Sequence, residues 1–161
     1  MHYVIIGNSA SGVAAIEAIR ESDQKGKITV ISKEPYLNYS RPLISYFLGR
    51  KVKLDQMNFC QKDFFQENKV DLFLNKKVEA VDCRKKYLIL SNGQRVAFDK
   101  LLIATGGVPI IPDIKGIHSK GVFTFTKLAD AQKIEKFIQT NKVKTATVIG
   151  AGLIGLKATE A

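Results

Sequence analysis

The sequence predicts an α/β fold of the doubly wound kind that also carries an antiparallel β-meander, and three observations predict it. The first is a short apolar run, Tyr3-Val4-Ile5-Ile6, that ends in the glycine loop Gly7-Asn8-Ser9-Ala10-Ser11-Gly12, as a buried parallel strand entering a phosphate loop does. The second is the stretch immediately after that loop. Ala14, Ala15, Ala18 and Ile19 recur at helical spacing, and a second apolar run occupies residues 28–31, completing a β-α-β unit whose crossover should be right-handed. The third is a repeat of the strand-plus-loop pattern near the other end, where residues 146–149 lead into Gly150-Ala151-Gly152-Leu153-Ile154-Gly155. Residues 1–110 therefore read as a Rossmann-like nucleotide-binding domain, and 111–161 as a linker and the beginning of a second one. The second loop lies so close to Ala161 that a complete unit would need a further strand, so the chain reads as a fragment.

Between the two loops, prolines 35 and 42 enforce turns around Pro35-Tyr36-Leu37-Asn38-Tyr39-Ser40-Arg41-Pro42, after which residues 43–48 form a short helix that stops at Gly49. An amphipathic helix covers 61–67. Four short strands, 70–74, 78–81, 87–90 and 95–98, make the antiparallel meander, the last two joined by the hairpin signal Asn92-Gly93. Residues 101–103 return as an apolar strand into Ala104-Thr105-Gly106-Gly107, a turn of small residues at a strand's C-terminal end, where open α/β sheets place ligands. Pro109, Pro112 and Gly116 mark the linker, and a helix over about 129–139 precedes the strand at 146–149.

Composition narrows the function. The formal charge of +10 reads first as solvated surface and second as a fit to an acidic protein partner; the basic residues are scattered and are not interleaved with aromatics, which argues against nucleic acid. No apolar run approaches the roughly 18 residues of a membrane span, and the start of the chain lacks a signal peptide's pattern. The expectation is a cytoplasmic location with no membrane partner, and the sequence leaves a homo-oligomer open. Cys60 and Cys83 form no close pair, and His2 and His118 form no cluster, so neither a metal site nor an internal dithiol is expected.

A pyrophosphate needs close approach to the unpaired N–H groups and the positive dipole end of a helix's first turn. In the ideal loop the first glycine turns the chain, the second lets backbone meet phosphate and the third lets helix pack on strand. Gly7 and Gly12 fill the first and third places; Ser9 fills the second, where its hydroxyl can donate to a phosphate oxygen. Ala10 opens the helix behind it. An acidic residue near the end of the second strand receives the ribose hydroxyls; Ser32 occupies that register, with Glu34 two residues on as the candidate and Lys33 able to sit near phosphate or adenine.

GNSASG, EPYLNYSRPLISYFL, LLIATGG and GAGLIG occur in that order, and on these segments the chain resembles the FAD-dependent pyridine nucleotide-disulfide oxidoreductases, especially the branch of rubredoxin reductase-like proteins and the nitrite reductase flavoprotein. The resemblance implies that 1–110 is the FAD-binding domain and that 111–161 begins an NAD(P)-binding domain. It implies FAD near Gly7, Ser9, Ala10, Gly12, Glu34, Arg41, Pro42, Val78, Ala104, Thr105 and Gly106, with Val78 acting through its main chain on adenine and Arg41 on phosphate or the flavin chain. Gly150, Gly152 and Gly155 would hold NAD(P)H.

Two departures qualify the resemblance. The family's disulfide reductases carry paired cysteines before the flavin, and its peroxidase and coenzyme A-disulfide branch a single one; here that stretch reads Ser40-Arg41-Pro42. Cys60 and Cys83 lie outside the motif and read as ordinary thiols. Many relatives also place glutamate where this chain has Lys157. The resemblance thus implies an NAD(P)H oxidoreductase that passes electrons through FAD to an outside acceptor such as rubredoxin, another small acidic redox protein or oxygen, without a redox cysteine. No side chain stands out as a catalytic acid, base or nucleophile. The rivals are a noncatalytic nucleotide-binding or regulatory module and an inactive flavoenzyme fragment.

Overall fold

A computed structural model of the chain describes residues 1–161. The chain divides into two compact units, one made of Met1–Tyr39 with Asn58–Gly106 and the other of Ser40–Met57 with Gly107–Ala161.

The first unit is built on a parallel sheet. Strands β1 (His2–Ile6), β2 (Lys27–Ile31), β3 (Val70–Phe73) and β7 (Lys100–Ile103) lie in the order β3-β2-β1-β7. All three pairings are parallel, with Ile5 opposite Val30 on one side and Leu102 on the other. Successive strands step outward from β1 through β2 to β3, and β7 then returns to the opposite side of β1. The order of strands reverses at β1, and such switch points are where open α/β sheets hold their ligands.

Each face of this sheet has its own cover, because strand side chains alternate. Ile5, Ile28 and Val30 point to one face and pack with Val13 and Ile16 of helix α1 (Ala10–Ser22) and with Phe65 of helix α3 (Phe64–Glu67). Val4 and Ile31 point the other way, against Leu88, Leu90, Val96 and Phe98. Those four come from the meander, an antiparallel sheet of β4 (Val78–Asp82), β5 (Tyr87–Leu90) and β6 (Arg95–Ala97) with Phe98 just beyond it. Ile5, Ile16 and Ile28 are essentially inaccessible, and each contributes roughly 1.5–3 kcal/mol of burial. The result is three layers, with helices on one side of the parallel sheet and the meander in place of helices on the other.

Several sequence expectations change here. Residues 70–73 belong to the parallel sheet, not to the meander; Val70 and Leu72 pack with the α1 side of the core, and Asp71 pairs with Lys27 at 3.2 Å across the β2 edge. On α1 the buried residues are Gly12, Val13 and Ile16, while Ala14 and Ala18 are exposed, because the larger apolar side chains win the inward face. The helix expected over 61–67 is only the single turn of α3. The Asn92-Gly93 hairpin forms with a three-residue loop: Gly93 N donates to Leu90 O at 2.8 Å, Leu90 N donates to Gln94 O at 2.9 Å, and Gly93 has φ +80°, the signature of a type I turn closed by a bulge.

The second unit contains a 3₁₀ turn at Arg41–Leu43, helices α2 (Ile44–Leu48), α4 (Leu128–Asn141) and α5 (Leu153–Glu160), and irregular chain between them. Its residues Ile44, Met57, Leu128 and Ala131 are buried, Phe123 meets Phe137 edge to face at 5.3 Å, and Arg50 pairs with Glu135 at 3.3 Å. Residues 146–149, expected as a strand, are irregular. No strand lies beside them to complete a hydrogen-bonded ladder, and Ile149 is 75% exposed. No helix in the chain is long and apolar enough to cross a membrane.

Candidate functional site

The first glycine loop sits at the C-terminal end of β1, at the switch point. Gly7 has φ +115°, and a Cβ there would overlap the carbonyl oxygen of Ala104, so the chain leaving β1 presses directly on the chain leaving β7. Gly7 N donates to Ile31 O and Ala104 N to Ile6 O, both at 2.8 Å, which locks the ends of β1, β2 and β7 together. Five residues on, a Cβ on Gly12 would overlap the carbonyl oxygen of Gly7 itself. The first turn of α1 therefore folds back onto the loop so closely that only a hydrogen fits between them. Ser9 is the N-cap residue, its carbonyl accepting from Val13 N at 3.0 Å, and its hydroxyl makes no capping bond. The N–H groups of Ala10, Ser11 and Gly12 lie in the first turn, where a helix offers no acceptor of its own. A cradle of backbone donors at a helix's positive end fits a pyrophosphate.

The neighbouring loops are tied to this one. Asn8, which is buried, donates from Nδ2 to Tyr36 O at 2.9 Å and also to Leu37 O. Glu34 follows β2, and its carboxylate accepts from the hydroxyl of buried Tyr39 at 2.6 Å. Ser32 occupies the end of β2; its hydroxyl accepts from Glu34 N at 3.2 Å, and its carbonyl accepts from Lys76 N at 2.9 Å. Val78 comes two residues later on β4, paired with Leu90 of β5; β4 is an edge strand of the meander and so keeps one side of its backbone unpaired by β5. Thr105 and Gly106 are exposed at the end of β7, Gly106 with φ +67°.

Arg41 and Pro42 belong to the second unit. They form the 3₁₀ turn after Ser40, and Arg41 Nη1 donates to Thr126 O at 2.9 Å. The second loop is in the same unit and repeats the geometry of the first. Gly150 has φ +114°, a Cβ on Gly155 would overlap the Gly150 carbonyl oxygen, and the N-cap residue Gly152 accepts from Leu156 N at 3.0 Å. Its backbone takes the phosphate-loop shape although the strand before it is not formed.

Known proteins share this arrangement along the whole chain. The sequence pattern of the pyridine nucleotide-disulphide oxidoreductases matches residues 1–161. The chain belongs to that family. It is 35% identical over 158 residues to the epsilon subunit of the NADH-dependent phenylglyoxylate dehydrogenase of Aromatoleum evansii, covering 98% of this chain and 37% of that one. It is 35% identical to the NAD(P)H nitrite reductase of Bacillus subtilis, over 96% of this chain and 19% of that enzyme. Among solved structures, the NAD-dependent persulfide reductase from A. fulgidus superposes with a TM-score of 0.90 at 32% identity, over 99% of this chain and 31% of that one. The chain thus spans about a third or less of these relatives' length. The doubly wound, Rossmann-like fold with its antiparallel sheet is common to this chain and its structural neighbours.

Within this pyridine nucleotide-disulphide oxidoreductase segment, Cys60 lacks the setting of an activated thiol. Burial pushes the Cys60 thiol up to about 11, with the charge of Glu17 adding to the effect, and Cys83 is exposed. At pH 8 about one Cys60 in a thousand is thiolate. Allowing for the higher nucleophilicity of a more basic thiolate, its alkylation by iodoacetamide is expected to run about 10- to 100-fold slower than that of an ordinary exposed thiol. Peptide mapping after timed labelling checks this, and equal labelling of Cys60 and Cys83 would count against the assignment.

Lys157 pairs with Glu160 at 2.7 Å and lies 5.8 Å from the Tyr46 ring centroid. The hydrogen bond from its ammonium to Glu160 raises the lysine and lowers the carboxylate from their usual ranges, so both stay charged at neutral pH. Sequence reasoning overlooked Asn8, Asn38 and Tyr39. Asn38 is buried and its Oδ1 accepts from Phe59 N and Cys60 N, both at 3.2 Å. The available signal was the pair of asparagines within loops flanked by apolar residues, where a buried amide can satisfy loop backbone groups.

Proposed function

We propose that this chain supplies the FAD cradle and the start of the nicotinamide site of an NAD(P)H oxidoreductase. The observation that carries this reading is the closure of Gly7 and Gly12 around the end of β1, with Ala104 against it at the strand-order reversal. Ser9, Ala10 and Gly12 present the first-turn donors to the pyrophosphate. Glu34, steadied by the Tyr39 hydroxyl, takes the ribose hydroxyls, and the edge backbone at Val78 takes adenine. Thr105 and Gly106 flank the dinucleotide chain, and Arg41 with Pro42 balances its phosphate charge. Gly150, Gly152 and Gly155 form the corresponding cradle for NAD(P)H.

The chemistry that FAD supplies when bound is acceptance of a hydride from NAD(P)H and release of its two electrons to an acceptor. The protein's part is to bind, orient and shield. Ser40-Arg41-Pro42 stands where, by the family resemblance, members with a thiol step carry cysteine, and this supports an external acceptor: rubredoxin, another small redox protein or oxygen. The net charge of +10 favours an acidic protein among these, through a field that salt weakens.

The test is a visible spectrum of the full-length protein followed by anaerobic titration with NADH and NADPH. An absorption band near about 450 nm that bleaches with one equivalent of either nucleotide is expected. A colourless protein that binds nucleotide without flavin would replace the oxidoreductase by a binding module.

A further inference from the structure

The parallel ladder between β1 and β2 ends at the pairing of Ile6 with Ile31 and the bond from Gly7 N to Ile31 O. Beyond that point the two chains part, one into the glycine loop and α1, the other into residues 32–39, which form neither strand nor helix. Asn8 carries the connection one step further with its side chain. Its Nδ2 donates to the carbonyl oxygens of both Tyr36, at 2.9 Å, and Leu37. An amide nitrogen has two hydrogens, so both are committed to the second loop. Asn38 holds the next residue of that loop, its Oδ1 accepting from the N–H groups of Phe59 and Cys60, and Leu37 packs against the core on the α1 face. All of these residues belong to the first unit.

Position 8 asks for an amide. A carboxylate of the same shape has no hydrogen to give to a carbonyl, a hydroxyl gives only one, and an apolar side chain gives none. Asn8 is buried, so these bonds are made away from water, where a carbonyl left without a donor is most costly. Two successive carbonyls held by one nitrogen fix the backbone of the loop and not merely one of its side chains. They fix it against the pyrophosphate cradle, because Ser9, the N-cap residue of α1, is the next residue after Asn8. The loop held in this way is the one that carries Lys33 and Glu34.

We infer that Asn8 is a positioning residue for the adenosine half of the cofactor: it sets the loop of residues 33–39 at a fixed distance from the phosphate loop, so that one ADP group reaches both. The inference rests on the FAD cradle proposed above. Asn8 acts through the two loops and not by touching the nucleotide.

The experiment titrates FAD into flavin-stripped full-length protein, with ADP and inorganic pyrophosphate as competitors of FAD uptake, so that only the FAD cradle is read. Wild type is compared with Asn8→Leu, which keeps the volume and loses both donors, and with Asn8→Ala, which leaves room for water to meet the two carbonyls and serves where leucine prevents folding. FAD and ADP are expected to bind about 10- to 100-fold more weakly in the variants, the effect of two lost hydrogen bonds. Pyrophosphate, which meets the glycine loop alone, should compete as well as it does in wild type. Equal weakening of ADP and pyrophosphate makes Asn8 a part of the glycine loop only and overturns the inference, as does failure of both variants to fold. Unchanged ADP and FAD affinity also overturns it and leaves the FAD cradle standing. Wild-type protein that takes up no FAD, or from which pyrophosphate does not compete, removes the phosphates from the first loop and the inference with them.

Discussion

Full-length protein carrying Gly12→Val should emerge from purification without flavin. The Cβ of any residue at position 12 would overlap the Gly7 carbonyl oxygen, and the obstacle is backbone, which cannot swing aside as a side chain can. Either α1 moves off β1, undoing its contacts through Val13 and Ile16, or the Gly7 loop opens and loses Ala104. Overpacking of this kind costs about 1–3 kcal/mol before the binding geometry is counted, and both escapes separate the first-turn donors from the phosphates. FAD binding weaker by at least about 100-fold is expected, roughly 2.7 kcal/mol. Flavin absorbance per protein after gel filtration checks it. A full flavin complement would mean that the loop is only a tight turn and that the dinucleotide lies elsewhere.

Gly155→Val is expected to give the complementary phenotype, in which the yellow colour stays and electron entry fails. Position 155 repeats the geometry of position 12, its Cβ overlapping the Gly150 carbonyl, but it lies in the other unit. FAD content should therefore be unchanged, while the rate of flavin bleaching by a fixed concentration of NAD(P)H falls by at least about 100-fold, with Kd rising accordingly. Stopped-flow absorbance under anaerobic conditions reads both quantities. Loss of flavin in this variant with normal nicotinamide binding would exchange the roles of the two loops.

The reasons these loops were legible in the sequence are local. A tight turn at Gly7 with φ +115° and a helix that crosses its own loop at Gly12 leave only glycine acceptable at either place, and that demand is written at fixed spacing. The parallel strands β1, β2 and β7 were legible for a similar reason: each is a short apolar run, β1 ending at the Gly7 turn and β7 at the small residues Ala104-Thr105-Gly106. What sequence reading mistook depends on neighbours. Val70 and Leu72 alternate as a meander strand would, yet they extend the parallel sheet, because the open edge of β2 was available to them. Residues 146–149 have a strand's composition without a partner to pair with. On α1 the small alanines matched the helical period, but Val13 and Ile16 take the inward face. Asp130 was missed altogether, since nothing in the local pattern announces that one carboxylate gathers donors from residues 124–127.

The adjacency of β1 and β7 also has a bearing on how the protein is made. His2 and Asp99 meet across a separation of 97 positions, and the Gly7 turn is finished only when Ala104 arrives beside it. At ribosomal speeds of about 5–20 residues per second, that stretch takes roughly 5–20 s to emerge. For this interval β1, α1 and β2 can assemble, but one edge of β1 remains open and the loop lacks a wall. An unpaired, apolar strand edge is a template for wrong pairing, and contacts this distant in sequence form slowly. The nascent chain is thus open to wrong pairing along β1 until β7 is translated.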